Sequence, residues 1–488
     1  MSFVSAGFPV FLGAALLCYF VVPKRVRWGV LLAASYAFYW LVGGWRAVAV
    51  ISVTALGVYC CGIWAAKLRE SGADKRIRRL PIAVGLVLSF GIMALFKFGA
   101  GFGIVAITGI SFYTFQAAGY LIDVYRGKAG AERNPLRFML FVSFFPQLIQ
   151  GPISRHSSVA EDLYAGHGFD WERARSGVKR IIWGYFLKLV IADRAAVLVN
   201  AVFSDYYSYG GAVILVSVLV YSVQIYADFA GGTGIALGIA EIVGVRLPEN
   251  FRQPFFARSV TDFWRRWHIT LGAWLKDYLF YPLALCKPLG RLGKLTRRVF
   301  GNRVGKIIPT SIATFAVYLV VGLWHGSSLK FVAFGLINGF VISLSLYCEP
   351  LIASLRGRTG VSGERGIGAV WAVVRTLGIV VFARYFSRAG SLMSALRMLK
   401  RTVFEFRLGE LLGGVWTGFG LVLADYWVLI AAVSMLFIHD AIAERGGLKK
   451  EPNRAVQFAG MLVVLAALTV FGIYREGYVA AQFVYAQF

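Results

Sequence analysis

The sequence predicts an all-α, polytopic membrane protein, and three observations lead to this fold class. The chain has 488 residues, of which 58% are hydrophobic and 15% are charged. Its mean hydropathy is +0.68, which excludes a soluble globular enzyme. Apolar stretches of about 16 to 20 residues recur along the chain, and each is long enough to cross a hydrocarbon core of about 30 Å. No repeat or linker divides the chain, so we expect a single domain over 1–488.

The charge of the chain favours a membrane location over a nucleic-acid partner. Lys and Arg number 51 against 24 Asp and Glu, a net charge of +27, which in a soluble protein would suggest nucleic acid. Here the basic residues lie in short loops between apolar stretches, where they hold loops on the cytoplasmic side. Because no basic stripe with interleaved aromatics stands apart from a span, we expect membrane lipid as a partner and no nucleic acid.

The sequence contains no recognisable metal site, disulfide framework or hydrolase motif. Its five cysteines show neither a CxxC pair nor Cys/His ligand spacing. A GxSxG elbow, an HExxH pair and a carboxylate cluster are also missing, so we expect no serine hydrolase, no metalloprotease and no bound metal. The apolar stretch 3–22 has no basic region before it and no cleavage site after it, which predicts a retained span rather than a signal peptide.

The alternation of apolar stretches and basic loops predicts about 11 to 12 crossings of a plasma membrane, with both termini extracytoplasmic. The loop that begins at Lys67 has six basic residues against two acidic ones, which fixes it inside. The stretch 138–152 is short and ends in Gly-Pro, so it is expected either to re-enter or to cross. The other spans are expected at 3–22, up to Gly43, between Trp45 and Lys67, and at 80–96, 103–122, 177–203, 211–228, 307–323, 330–347, 368–386, 418–438 and 455–473.

Two segments are expected at the membrane surface. The segment 246–306 has thirteen Lys and Arg against three acidic residues, so we expect it to lie on the cytoplasmic face and dock the acyl donor through Arg265, Arg266 and Lys276. The alternative is that these charges only fix topology and bind anionic lipid. In 384–407, cations alternate with apolar residues at helical spacing, which predicts an amphipathic interfacial helix or a plain anchor.

His325 is the first candidate for chemistry, in the run Val-Gly-Leu-Trp-His-Gly after the span at 307–323. A neutral imidazole, with an unperturbed pKa near 6.5, can take a proton from a hydroxyl and return it. This chemistry suits acyl transfer between an ester or thioester and an alcohol. The alternative is a histidine that is hydrogen-bonded at a helix end. Gly326, which follows, would let a substrate approach closely.

His268 is the second candidate, at the end of the run Asp-Phe-Trp-Arg-Arg-Trp-His. Two arginines flanked by tryptophans are also typical of an interfacial anchor. The run Ala-Gly-Gly-Thr-Gly at 230–234 lacks the lysine of a phosphate loop, so it indicates close helix packing or a break in a helix. From spacing alone, the chain is a membrane-embedded enzyme or transporter with a polar cavity that contains histidine.

Four stretches of the core 109–326 share their order and spacing with a known family. They are GISFYTFQAAGYLIDVYR at 109–126, SFFPQLIQGPISR at 143–155, the region 226–282 with ADFAGGTGIALG, LPENFRQPF and DFWRRWHITLGAWLKDYLFYP, and LWHG at 323–326. They resemble the membrane-bound O-acyltransferase (MBOAT) family, in its bacterial branch of alginate O-acetylation and D-alanyl-lipoteichoic acid transfer proteins. The chain departs from the alginate branch at 232–234, where Gly-Thr-Gly replaces the usual Tyr-Ser-Asp. The resemblance therefore implies the acyltransferase class rather than one substrate.

The resemblance implies an MBOAT-like fold whose two histidines line a central tunnel, with His325 catalytic and His268 assisting from the inner side. No cofactor is expected to bind tightly, and the acyl donor would be acyl-CoA or an acyl-carrier-protein thioester. An extracytoplasmic partner of the SGNH-hydrolase-like type would accept the acyl group or hand it on. The side chains of the matched stretches that are candidates to contact substrate or line the tunnel are Trp324, Trp267, Asp228, Gln150 and Asn250.

The expected activity is membrane O-acyl transfer. An acyl group, with acetyl the first choice, would move from a cytoplasmic donor onto a cell-surface or secreted polysaccharide. Within the same class, the alternative is D-alanyl transfer to teichoic acid from a carrier-protein thioester. An alternative from another class is a polymer or lipid transporter, which the same tunnel would serve without chemistry.

The C-terminal tail 483–488, Phe-Val-Tyr-Ala-Gln-Phe, has two interpretations. Its three aromatics and lack of charge suit a plain anchor at the headgroup boundary. The tail is also similar to the F-x-Y-x-x-F ending of the small membrane peptide that accompanies the D-alanyl transfer protein, fused here to the chain itself. This resemblance implies that Tyr485, once His325 has taken its proton, carries the acyl group as an aryl ester.

Overall fold

The structure is a computed structural model that describes residues 1–359, 366–446 and 454–473 together with Phe483. Apart from one antiparallel bridge between Phe251 and Trp267, these described residues form helices, turns and loops. The chain contains two compact units, each assembled from segments that are distant in sequence. Unit 1 comprises Met1–Lys188, Asp228–Glu249 and Ala459–Phe488, and unit 2 comprises Leu189–Ala227 and Asn250–Phe458.

Among the described residues, seven helical segments are long and apolar enough to cross a membrane. The chain is therefore an all-α, multi-pass membrane protein, which confirms the predicted class. Seven is fewer than the predicted 11 to 12 crossings, because two segments each contain two helices joined at a kink and several predicted spans are short or interrupted. The seven segments are Lys24–Glu70, Ile77–Phe98, Gly211–Ile242, Lys287–His325, Leu329–Ser354, Gly366–Arg388 and Leu423–Glu444, and shorter apolar helices are Gly7–Val21 and Ala455–Phe471.

Helices α1 to α8 lie in unit 1. The long helix α2 is kinked at Gly44, where φ is 66°, in agreement with the turn predicted there. Helix α5 begins where the Asn134 side chain accepts hydrogen bonds from the backbone N–H groups of Leu136 and Arg137. The bounds are Gly7–Val21 for α1, Arg27–Glu70 for α2, Leu80–Phe98 for α3, Ile110–Arg126 for α4, Pro135–Ser143 for α5, Phe145–Leu148 for α6, His156–Ala165 for α7 and Trp171–Tyr185 for α8.

Two predicted spans of unit 1 differ from the structure. The span expected at 103–122 begins only at Ile110, because Gly109 has a left-handed φ of 81° and precedes the first turn of α4. The stretch 138–152 contains the end of α5 and all of α6, which are separated by the extended backbone of Phe144. No single helix crosses there, and the buried side chains of α5 and α6 pack inside unit 1.

The predicted span 177–203 is an interrupted run of helix. Helix α8 continues through a π-helical segment, Phe186–Ala192, into α9, Asp193–Ser204. Helix α10, Gly211–Ile242, follows and extends well beyond the predicted end at residue 228. The glycine run at 230–234 therefore lies inside a helix and does not break it.

The glycines of α8 and of the second half of α10 allow the two backbones to touch in unit 1. A methyl group added at Gly184 would overlap the carbonyl oxygen of Gly231, and one added at Gly177 would overlap that of Gly238. This arrangement confirms close helix packing as the role of the glycine run, since only glycine leaves room for the neighbouring backbone.

Helices α11 to α18 lie in unit 2, and α19 follows. The segment 246–306 is not one surface loop as expected, because α14 begins at Lys287 and runs for 39 residues with a kink at Gly301. Its basic first part is thus an extension of a membrane-length helix. The bounds are Val260–Arg266 for α11, Ile269–Leu275 for α12, Tyr281–Ala284 for α13, Lys287–His325 for α14, Leu329–Thr359 for α15, Gly366–Arg388 for α16, Leu392–Phe404 for α17, Leu423–Glu444 for α18 and Arg454–Phe471 for α19.

The expected amphipathic helix is α17, which starts where the Ser391 hydroxyl accepts a hydrogen bond from the backbone N–H of Ser394. Its cations lie near polar partners, as when Arg397 donates to the Tyr207 hydroxyl at 2.5 Å. Arg384 was grouped with these surface cations, and that assignment was wrong. It lies in α16, is buried, and stacks over the ring of Trp267.

Candidate active site

The backbone around His268 is held by pairing between two short segments of unit 2. Helix α11 is capped by Ser259, whose hydroxyl accepts a hydrogen bond from the backbone N–H of Asp262. After α11 the chain becomes extended at Trp267 and pairs with the segment that begins at Asn250. The backbone N–H of Ile269 donates to the Asn250 carbonyl at 2.9 Å. This bond fixes the backbone of His268, the residue before Ile269.

The side chain of Asn250 fixes the ring of His268. Asn250 Oδ1 accepts hydrogen bonds from the backbone N–H of Thr270 at 3.2 Å and from the Thr270 hydroxyl at 2.9 Å. The same oxygen lies 3.1 Å from His268 Nδ1. Because a carbonyl oxygen only accepts, Nδ1 must carry the hydrogen. The Nε2 atom of the neutral ring then carries the lone pair.

His268 is both strained and buried. Its φ of 47° is left-handed, and among the described residues only Gln253 shares a positive φ without being glycine. Its side chain is 3% exposed, and burial lowers the pKa of His268 from its ordinary value of 6.5 to about 3. The ring is therefore neutral at physiological pH and poorly suited to hold a positive charge.

Trp267, the residue before His268, is a packing centre of unit 2. Its ring stacks on Phe263 with centroids 5.5 Å apart. The guanidinium carbon of Arg384 lies 4.7 Å from the centroid of the Trp267 ring, within the range of a cation–π contact. Tyr226 and Phe251 complete the surrounding aromatic cluster. Trp267 is thus a support for the histidine loop, and its buried ring packs against protein side chains.

His325 is the last residue of α14 and is half-buried among aromatic rings. Its ring centroid lies 6.0 Å from that of Phe331 and 5.5 Å from that of Phe334. Gly326, which follows, has a φ of 154° that ends the helix abruptly. His325 is therefore at a helix end, as one interpretation of the sequence has it, and its ring is not fully enclosed.

Trp324 joins the two histidines. Its ring centroid lies 5.6 Å from that of His268 and 4.8 Å from that of His325. Trp324 is 4% exposed, so it forms part of the interior of unit 2. Two histidines 57 positions apart in the sequence thus both lie beside one indole.

Two further candidates, Asp228 and Gln150, lie in unit 1. Asp228 accepts a hydrogen bond from Lys188 at 2.8 Å in an ion pair whose two side chains are almost completely buried. Gln150 is fully buried, and neither its amide oxygen nor its amide nitrogen has a hydrogen-bond partner among the described residues. These polar groups are kept inside a membrane protein, which marks them as functional candidates.

The expected docking residues have different surroundings. Arg265 and Lys276 are exposed, and the Lys276 ammonium lies 5.6 Å from the centroid of the Tyr281 ring. Arg266 donates to both oxygens of Glu444, at 2.6 and 3.1 Å, and also pairs with Asp262. Its charge is already compensated, so Arg265 and Lys276 are the cations of this group open to a partner.

Sequence reasoning did not select Lys188 and Arg384. Each is a lone cation inside a long apolar stretch, a pattern that itself indicates a buried partner. Tyr485 lies outside the described residues. Within the described ranges, no three His, Cys, Asp or Glu side chains are grouped as a metal site requires.

The comparisons with known proteins converge on one family. The model of MBOAT, the membrane-bound O-acyltransferase family, matches residues 128–386, more than half of the chain. The probable alginate O-acetylase AlgI of Pseudomonas syringae pv. tomato is 32% identical over 69% of this chain and 63% of that relative, just under two thirds of its length. The corresponding protein of Pseudomonas fluorescens is 32% identical over 91% of this chain and 83% of its own. The peptidoglycan O-acetyltransferase of Helicobacter pylori is 30% identical, over 67% and 65%.

Proposed function

Because the chain belongs to the membrane-bound O-acyltransferase family, we propose that it transfers an acyl group, acetyl in the first instance, onto a hydroxyl of a cell-surface or secreted polysaccharide. The relatives named as alginate and peptidoglycan O-acetylating proteins support this acceptor class. The donor is a cytoplasmic thioester of coenzyme A or of a carrier protein. The enzyme acts in the plasma membrane, and both of its termini are extracytoplasmic.

The contact of Trp324 with both histidines carries the proposal. Rings 5.6 and 4.8 Å from one indole place His268 and His325 in a single neighbourhood of unit 2. An acyl transfer needs a base for the attacking hydroxyl and a second polar group that orients the reacting carbonyl or hydroxyl. Two imidazoles beside one apolar surface meet that need.

His325 is the general base. Its ring is half-buried at the end of α14, so a proton and a substrate can reach it. The imidazole takes the proton of the attacking hydroxyl, whose oxygen forms a bond with the thioester carbonyl carbon. The C–S bond then breaks, and the leaving thiolate receives the proton back from the imidazolium. Acyl group, proton and electron pair are all accounted for in these two steps.

His268 assists as a neutral ring. Its pKa of about 3, a result of burial, makes it a weak base at physiological pH. With Nδ1 bound to Asn250, its Nε2 lone pair can accept a hydrogen bond from a hydroxyl and so orient it. The Asn250 amide nitrogen has no hydrogen-bond partner among the described residues, which leaves one buried N–H donor for a substrate oxygen.

Tyr485 is the proposed acyl carrier between donor and polymer. A phenol has a pKa near 10 and is a poor nucleophile until a histidine base takes its proton. The resulting aryl ester transfers its acyl group more readily than an alkyl ester does. An extracytoplasmic partner of the SGNH-hydrolase-like type would receive the group and pass it to the polymer.

The cations of 246–306 are the proposed donor docking face, with Arg265 and Lys276 the exposed members near His268 in sequence. An acidic carrier protein or the phosphates of a coenzyme would be attracted there, with a strong dependence on salt.

The decisive experiment replaces His325 with alanine and measures polymer-bound ester in cells, with membrane abundance as the control. An acyltransferase loses the ester completely, whereas a transporter keeps most of its activity. Mass analysis of the released acyl group distinguishes acetyl from D-alanyl transfer. Wild-type ester in the His325→Ala variant would overturn the assignment.

A further inference from the structure

Phe483 is the one residue of the C-terminal tail that the structure describes, and it lies in the interior of unit 1. Its side chain is 2% exposed. The ring packs edge-on against Phe3 with centroids 6.3 Å apart, in a cluster that also contains Phe8, Phe38 and Phe145. A plain interfacial anchor would place this ring at the headgroup boundary. Burial inside the protein instead indicates a specific binding site for it.

One wall of this site is an ion pair. The Lys188 ammonium lies 4.5 Å from the centroid of the Phe483 ring and 2.8 Å from Asp228 Oδ1. A buried pair is expensive to desolvate and is stabilised by further polar or π contacts. The face of an aromatic ring offers such a contact to an ammonium group, and more strongly where water is excluded. The pair therefore recognises an aromatic side chain rather than any apolar one.

A second wall is formed by Gln150 beside Gly232. A methyl group added at Gly232 would overlap the Gln150 amide and come within 3.1 Å of the Phe483 ring. Any larger residue at 232 would fill the space that the ring occupies. Glycine at position 232 therefore leaves room for Phe483. The Gln150 amide, buried and without a partner among the described residues, can bind a peptide group of the segment that carries the ring.

We propose that Lys188, Asp228, Gln150, Gly232 and Phe3 form a seat for the tail of this chain, and that Phe483 is the positioning residue that occupies it. The positioning role of Phe483 rests on the proposed function of Tyr485 as acyl carrier. The seat itself rests only on the contacts of Phe483. Two residues of chain span at most about 7 Å. An occupied seat thus confines Tyr485 to a small volume, whatever the conformation of the residues between them.

The first test locates the ring without reference to acylation. The photoreactive analogue p-benzoylphenylalanine is placed at position 483 in the full chain in membranes, and at Phe471 as the control. Phe471 is an exposed aromatic on the same terminal segment. After irradiation, adducts from position 483 should be found on peptides that contain Phe3, Gln150 or Gly232. An adduct pattern equal to that of the Phe471 control, or adducts on lipid alone, would overturn the seat.

The second test measures the acyl group on Tyr485 by intact-mass and peptide analysis. Phe483→Ala should lower acyl-tyrosine at least tenfold at unchanged protein abundance, and Phe471→Ala should leave it unchanged. Phe483→Leu keeps apolar volume without a π face, so this variant should contain less acyl-tyrosine than Phe483→Trp does. Equal acylation in the Leu and Trp variants would contradict recognition by Lys188, and normal acylation in Phe483→Ala would contradict the positioning role.

The two tests separate the seat from the proposed function. If Tyr485→Phe keeps full polymer acylation while position 483 still cross-links to the seat, the carrier role of Tyr485 is refuted and the seat is supported. If Tyr485→Phe abolishes acylation while position 483 gives no adduct with the seat, the carrier role of Tyr485 is supported and the seat is refuted.

Discussion

Asn250 holds His268 in one tautomer, with 3.1 Å between Asn250 Oδ1 and His268 Nδ1. The same oxygen accepts from the backbone and the hydroxyl of Thr270, so the amide cannot flip without losing these bonds. The lone pair of the neutral ring is thereby assigned to Nε2. A side chain 18 positions before the histidine thus decides which nitrogen of the ring carries the hydrogen.

The Asn250→Ala variant should lose activity by about 10- to 100-fold, because the His268 ring is then free to adopt the wrong tautomer or orientation. Thr270→Val is the matched control, since it removes a different bond to the same oxygen and keeps the one to His268. Ester formation in membranes, normalised to protein abundance, checks the prediction. Equal losses in the two variants would show that Asn250 only stabilises the loop.

The stability of the protein should fall with pH below 6.5. His268 is neutral in the folded state down to a pH near its pKa of about 3, whereas in the unfolded chain it binds a proton below 6.5. The unfolded state binds more protons between these values, so stability is complete above 6.5. Below 6.5 the free energy of unfolding decreases as pH decreases, and the slope approaches about 1.4 kcal/mol per pH unit.

Thermal unfolding in detergent from pH 7 to pH 5 measures this slope. His268→Asn should flatten it, because asparagine does not titrate. His156 keeps part of the slope in the variant, since burial also lowers its pKa. An identical pH dependence in the wild type and the variant would refute the prediction.

Substituting one residue of the Lys188–Asp228 pair should lower the free energy of unfolding more than substituting both. Lys188→Met leaves the Asp228 carboxylate buried without its partner and should cost about 3 to 5 kcal/mol of unfolding free energy. The double variant Lys188→Met with Asp228→Leu should cost less, because no buried charge remains. Arg303→Met breaks the exposed pair with Glu349 and should cost at most about 1 kcal/mol. A double variant less stable than Lys188→Met would contradict this account.

Gly184→Val should destabilise the contact between α8 and α10. The new side chain would overlap the Gly231 carbonyl, and overpacking of this kind costs about 1 to 3 kcal/mol. Gly91→Val is the control, because it makes the same change inside α3 where no atom lies within 4 Å of the added group. The difference in thermal midpoint between the two variants isolates the helix contact from the helix propensity of valine.

The fold class could be predicted from sequence, and the two histidines could be selected as candidates, because each has a local signal. Apolar length identifies membrane helices, and rare runs such as Trp-His-Gly stand out in a chain rich in Leu, Val and Gly. The contact of both histidines with Trp324 could not be predicted, since it depends on how the end of α14 packs against the loop before α12.

The errors also have physical reasons. The predicted span 211–228 ends at Asp228, a carboxylate that would be costly in lipid. Lys188, forty positions earlier in the chain, neutralises it, and the helix continues to Ile242. Arg384 was grouped with the cations of a membrane-surface helix from their helical spacing, and the face of Trp267 binds it inside unit 2. In both cases the partner is distant in sequence, so the local pattern of the chain does not reveal it.

The left-handed backbone at His268 has an evolutionary consequence. Glycine and asparagine adopt this conformation at lower cost than histidine does, and neither has a ring that must stay uncharged in the interior. Selection for folding alone would therefore favour their appearance at this position. If His268 acts in the proposed acyl transfer, a lineage that has lost the reaction should drift to glycine or asparagine here, and a lineage that keeps the reaction should keep histidine.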